Sequence, residues 1–259
     1  MVNSRTEING AQLDLYIPDE VVEKKALMPL VLICPGGGYF FCNKREAEPV
    51  ALFFNSYGIG AAVLYYSANS ITHYPVQLIQ LASAVDYLKQ NASVWHCDKD
   101  NIFVAGFSAG GHLAACLGTL WNKEKAIENY DCRIKGLILC YAVTISGEFE
   151  NKKTFDNLCG CDQSLRSWTS VIDKVDGQTP PCFIWSTYED AAVPVENSLF
   201  FACALRRHGI PFELHIYEHG PHAMSLATEF TAQCEAEKSQ HVSSWKETAV
   251  SWLLGRASD

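Results

Sequence analysis

Nowhere in this chain do apolar residues run uninterrupted for the roughly 18 positions that a membrane-spanning helix requires, so no span is expected. The opening segment MVNSRTEINGAQLDLYIPDE lacks the apolar core of a secretory leader, and no signal peptide is expected from it. No internal repeat, low-complexity tract, linker or run of like charge stands out. Basic charge is in short supply: Lys and Arg total 20 against 29 Asp and Glu, a formal net charge of −9. That balance argues against nucleic acid or an anionic membrane as the main partner. Cysteine is plentiful at 11 residues, but close pairs are lacking. Cys159 and Cys161 have no second pair nearby to complete a zinc site, so no metal is expected. Cys34, Cys140 and Cys182 fall inside apolar runs and read as buried free thiols, which places the chain in a reducing cytoplasm.

What is present is ordinary for a folded protein. The 259 residues are 48% apolar and 19% charged, enough for one α/β domain with a sizeable core. Residues 12–17 alternate and read as a half-buried strand. Residues 19–25 read as a charged connection. Continuous apolar runs at 29–34, 60–66, 102–105, 135–141 and 181–187 suit strands buried on both faces, and 211–217 reads as the last strand. Helical character falls at 46–57, 78–90, 112–117, 194–208 and 242–254. The long stretch 144–181 is irregular and rich in aromatics, the mark of an active-site insertion. Strand and helix alternate, so the expected fold class is α/β, a mostly parallel sheet with helices on both faces and its site at the carboxyl ends of the strands.

The chain is organised around Gly106-Phe107-Ser108-Ala109-Gly110, a G-x-S-x-G between the 102–105 strand and a small-residue helix. A serine at the apex of such a turn projects its hydroxyl above the sheet, and the flanking glycines let strand and helix approach. A serine hydroxyl needs a base and an acid to orient that base. Here the expected order Ser, acid, His is supplied by Ser108, Asp190 after the 181–187 strand, and His222 after the 211–217 strand. Glu189 is the rival acid and His219 the rival base, while His112 suits a packing or hydrogen-bonding role beneath the site. The run Gly36–Gly38 follows a buried strand without the Gly-Lys-Ser/Thr of a phosphate cradle. It reads as an oxyanion loop whose donors are the amides of Gly37, Gly38 and Ala109. Tyr39, Phe149 and Trp168, with Phe40 and Phe155, offer either a sugar-stacking surface or core and lid packing.

The segments PGGGY, GFSAGGHLAA, FDNLCG at 155–160, PPCFIWSTYEDAAVPVENS and HGPH together resemble the α/β-hydrolase serine esterases. They are most similar to the acetyl-xylan-esterase-like and feruloyl-esterase-like small hydrolases related to the hormone-sensitive-lipase type, over roughly residues 10–255. The resemblance implies a nucleophile at Ser108, an acid at Asp190 and a base at His222, with no cofactor. It also implies a small-molecule substrate carrying a short acyl group, acetyl above all, on a sugar. Two departures stand out. Pro35 replaces the histidine that braces the glycine loop in many relatives, and Tyr141-Ala142-Val143 replaces Tyr-Pro-Val near the acyl pocket. A prolyl-oligopeptidase-like peptidase, a general lipase-like esterase and a catalytically inactive binding protein are the competing readings. A dienelactone-hydrolase-like enzyme would carry Cys where Ser108 stands. The sequence leaves a homodimer open.

Overall fold

The computed structural model describes residues 4–18, 26–69 and 71–258. The charged connection expected at residues 19–25 lies outside the described residues. Six strands run parallel: β3 (Met28–Cys34), β4 (Gly60–Tyr65), β5 (Cys97–Phe107), β6 (Gly136–Cys140), β7 (Cys182–Thr187) and β8 (Phe212–Tyr217). Two more, β1 (Ser4–Ile8) and β2 (Ala11–Tyr16), join antiparallel at one edge, giving the order β1-β2-β4-β3-β5-β6-β7-β8. β1 was not foreseen, and it explains why β2 is more buried than its alternation suggests. Asp14 on β2 is buried because Arg5 on β1 meets its carboxylate with Nε at 2.6 Å and Nη2 at 2.8 Å.

The apolar runs sort by parity into two cores. Leu30, Leu32, Val104, Leu137, Leu139 and Ile184 face one side, and Val31, Ile33, Phe103, Ile138, Phe183 and Trp185 face the other. Each such side chain contributes about 1.5–3 kcal/mol by leaving water. The first core is covered by α2 (Val76–Asn91), α3 (Ala109–Leu120) and α6 (Glu196–Arg207); the second by α1 (Glu48–Asn55) and α8 (Trp245–Ala257). The expected helix at 46–57 is shorter, because Lys44–Glu46 forms a separate 3₁₀ turn capped by the Asn43 side chain. The last helix is preceded by a short turn of helix, α7 (Gln240–Ser243). Among the described residues, no helix is long and apolar enough to cross a membrane.

The irregular stretch 144–181 is better ordered than its sequence implies. It carries α4 (Lys152–Cys159) and α5 (Gln163–Trp168), each started by a side-chain cap, Asn151 on the Thr154 amide and Asp162 on the Ser164 and Leu165 amides. Arg166 binds Glu150 at 2.9 Å and also Asp156, which ties the start of the insertion to both helices. Parallel pairing brings the loops after β3, β5, β6, β7 and β8 to one edge of the sheet.

Candidate active site

Ser108 is the single residue between β5 and α3, with φ 53° and ψ −116°. A non-glycine residue held there costs about 1–3 kcal/mol and persists only where its surroundings fix it. They do: the Ser108 amide donates to Cys140 O (3.0 Å), and its carbonyl accepts from the amides of His112 (3.0 Å) and Val143 (3.3 Å). The flanking glycines have a steric cause. A Cβ on Gly106 would lie 2.3 Å from Gly110 O, and one on Gly110 would lie 2.1 Å from Cys34 O.

His222, in the loop after β8, places Nε2 2.8 Å from Ser108 Oγ. Its Nδ1 stands 2.6 Å from Asp190 Oδ2. An ionised carboxylate only accepts, so Nδ1 carries the proton and Nε2 is left as an acceptor for the serine hydroxyl, the tautomer a general base needs. Asp190 is buried, and its other oxygen accepts the amides of Ala192 (2.9 Å) and Val193 (2.8 Å). The residue is therefore both a turn aspartate and the partner of His222.

Glu189 points elsewhere. Its carboxylate accepts His219 Nδ1 (3.0 Å) and the Gly220 amide (3.1 Å) at the surface. These bonds hold the Glu189 carboxyl below its usual pKa and lift that of His219. The rival acid and rival base thus pair with each other and brace the loop that carries His222. Thr187 Oγ1, donating to Gly220 O at 2.7 Å, pins the same loop to the end of β7.

Among the described residues, no protein group accepts the amides of Gly37, Gly38 or Ala109. Gly37 has φ 129°, and a Cβ there would lie 2.0 Å from Phe41 O, so only glycine fits the turn. With Pro35 in place of histidine, the loop is braced by two other groups. Tyr66 Oη donates to Pro35 O (2.7 Å), and the Gly36 amide donates to Glu46 Oε2 (2.7 Å). Glu46 belongs to no motif in the sequence, where it only begins the helical stretch 46–57. The available signal was the absent histidine, which calls for a replacement brace. Glu46 is buried, and burial lifts its pKa against hydrogen bonds from Tyr141 and Gly36 that lower it.

His112 sits below the loop, fully buried. Its Nε2 faces Thr169 O at 2.7 Å and so donates, which leaves Nδ1 to accept Tyr39 Oη at 2.9 Å. Burial lowers its pKa to about 4, so it is neutral and structural at neutral pH.

Two of the three aromatics expected to bind substrate are corrected. The Tyr39 ring is buried edge-on between Tyr66 (5.7 Å) and His112 (5.8 Å), because its hydroxyl is drawn inward by that imidazole. Trp168 donates Nε1 to Tyr74 Oη (3.1 Å) and Glu124 Oε2 (3.0 Å), with Lys174 Nζ over its ring at 4.7 Å. Glu124 lies beyond the far end of the 12-residue α3, about 18 Å along the helix from Ser108. Phe155 is also buried, against His112. Phe149 stays half-buried beside the loop that carries Asp190, packed on Phe200 at 5.8 Å, with its carbonyl accepting Asn197 Nδ2 at 2.9 Å. Phe40 and Phe41, 53% and 54% exposed, stand next to the glycine loop instead. Among the described residues, no group of three or more His, Cys, Asp or Glu side chains could hold a metal ion.

The sequence profile of the BD-FAE family matches residues 13–205. Endo-1,4-beta-xylanase B of Butyrivibrio fibrisolvens is 35% identical over 223 residues, 83% of this chain and 34% of that protein. An acetylxylan esterase of Xylanibacter ruminicola is 29% identical over 76% of this chain and 41% of its own length. The chain therefore spans well under half of each of these two relatives. An acetyl ester-xyloside bifunctional hydrolase of Caldicellulosiruptor lactoaceticus superposes with a TM-score of 0.83 at 35% identity, over 95% of this chain and 88% of that one.

Proposed function

This chain belongs to the BD-FAE family and has the α/β-hydrolase fold, and from that premise we propose that it is a serine carboxylesterase removing short acyl groups, acetyl above all, from small sugar esters such as those of xylo-oligosaccharides. The observation that carries this reading is the relay from Asp190 through His222 to Ser108, at 2.6 Å and 2.8 Å, beside three unengaged amides. His222 takes the Ser108 proton as Oγ attacks the ester carbonyl. The amides of Gly37, Gly38 and Ala109 receive the developing oxyanion, the last of them at a helix N-terminus. His222 then returns the proton to the leaving alcohol, and a water activated by the same imidazole releases the acid. No step calls for a metal or cofactor.

Short acyl groups are supported by the insertion. Asn157 Nδ2 of α4 donates to Gly38 O at 2.7 Å, and Thr154 lies 3.8 Å from where a Gly38 Cβ would stand, so α4 lies against the glycine loop. Carbohydrate is supported by the names of the relatives above. Eleven free cysteines support a cytoplasmic setting, where imported oligosaccharides rather than polymers are the substrates.

Measured kcat/KM on p-nitrophenyl esters from about two to eight carbons should fall beyond about three, because a pocket open to longer chains would gain about 1–3 kcal/mol per methylene. A maximum at about six or eight carbons would instead favour a general lipase-like esterase. Acetylated xylo-oligosaccharides, compared with feruloyl esters, then decide between the two sugar-ester classes.

A further inference from the structure

We propose that Glu46 is a positioning residue for acyl transfer, a buried carboxylate that locks the oxyanion loop and the histidine loop together through Tyr141. The inference rests on the esterase reading above and goes beyond its three reacting residues. One oxygen of Glu46 accepts the Gly36 amide at 2.7 Å, the residue before the proposed oxyanion donors. The other accepts the Tyr141 hydroxyl at 2.8 Å. That hydroxyl in turn accepts the amide of Ser225, three residues past His222, at 3.0 Å. Ser225 is wholly buried and has no slack, since its Oγ donates to Arg45 O (2.7 Å) and its carbonyl accepts Trp245 Nε1 (3.0 Å). The Tyr141 ring also stands edge-on to the His222 imidazole at 5.0 Å and to Trp185 at 5.0 Å.

The strain in these loops needs such a lock. Tyr141 has φ 38°, and Ala223, Ser225 and Ala227 have φ 65°, 53° and 55°. None is glycine, so each conformation is imposed by its surroundings. Among the described residues, Glu46 is the one group bonded, directly or through a single hydroxyl, to both loops. It therefore fixes the distance between the amides that receive the oxyanion and the imidazole that moves the proton, a distance that matters only when both act in the same step.

The test uses Glu46→Gln and Tyr141→Phe, with Asp14→Asn as a control for loss of a buried acid remote from the site. Active enzyme is counted by titration with a fluorophosphonate, and kcat, KM and the labelling rate constant are measured per titrated site. Both variants should lose about tenfold or more in kcat and in labelling rate, with KM within about threefold, and the double variant should lose little more than either single one. Asp14→Asn should lose stability alone. Unchanged kcat per site, a loss carried by KM, or full additivity would overturn the proposal. Tyr141→Phe keeps the ring and its packing, so it decides the matter even where Glu46→Gln fails to fold. The labelling rate needs no ester substrate. Wild-type protein that labels but cleaves no ester would sink the esterase reading and leave the positioning role to be judged on labelling alone.

Discussion

At the residue scale, two adjacent acids compete to serve His222, Glu189 and Asp190. Asp190 is buried and bonded to Nδ1, whereas Glu189 is exposed and engaged with His219. Asp190→Asn lets the imidazole take the wrong tautomer, and kcat should fall by about 10⁴-fold. Glu189→Gln should cost at most about fivefold, since it only loosens a surface brace. Steady-state rates on one acetyl ester compare the two, and equal losses would reverse the roles. His112 makes a separate prediction about pH. Its folded-state pKa is lowered from 6.5 to about 4, so the folded state disfavours its protonation. The stability it confers is full above pH 6.5 and is lost as the pH falls towards 4. The loss approaches about 3 kcal/mol. Urea unfolding of His112→Gln should therefore show a shallower loss of stability than wild type between neutral pH and about pH 4.5.

At the element scale, the elbow is a contact between backbones. Gly110→Ala drives a methyl to 2.1 Å from Cys34 O, and neither backbone can yield. A loss of at least about 3 kcal/mol or failure to fold is expected in chemical denaturation. Gly177, with open space around it, should accept Ala within about 0.5 kcal/mol. Most elements were legible because strands buried on both faces must be continuous apolar runs, and these stand out as 29–34 or 135–141 do. The serine turn was legible because its glycines are obligatory. Less legible was whatever depends on a distant partner. β1 pairs through polar residues such as Arg5 and carries no apolar run. Residues 223–227 bend at Ala and Ser, with no glycine to announce the turn, because Tyr141, Arg45 and Trp245 hold them there. Tyr39 and Trp168 look like binding aromatics in one dimension, but their polar tips are claimed by His112 and by Tyr74 and Glu124.

At the scale of the whole molecule, the loops after all six parallel strands leave the sheet at one edge, and five of them carry the parts of the proposed reaction. In the proposed reaction the loop after β3 would supply amides, that after β5 the nucleophile, that after β6 the strut Tyr141, that after β7 the acid and that after β8 the base. The insertion with α4 and α5 closes over this edge through Asn157 on Gly38 and Thr169 on His112. The central claim is that this edge performs acyl transfer from Ser108. The direct measurement is p-nitrophenyl acetate hydrolysis by wild type and by Ser108→Ala, with folding checked by circular dichroism. Turnover is expected in the wild type, with a loss of about 10⁴-fold or more in a folded variant. A folded Ser108→Ala protein that keeps its rate within about tenfold would contradict that claim.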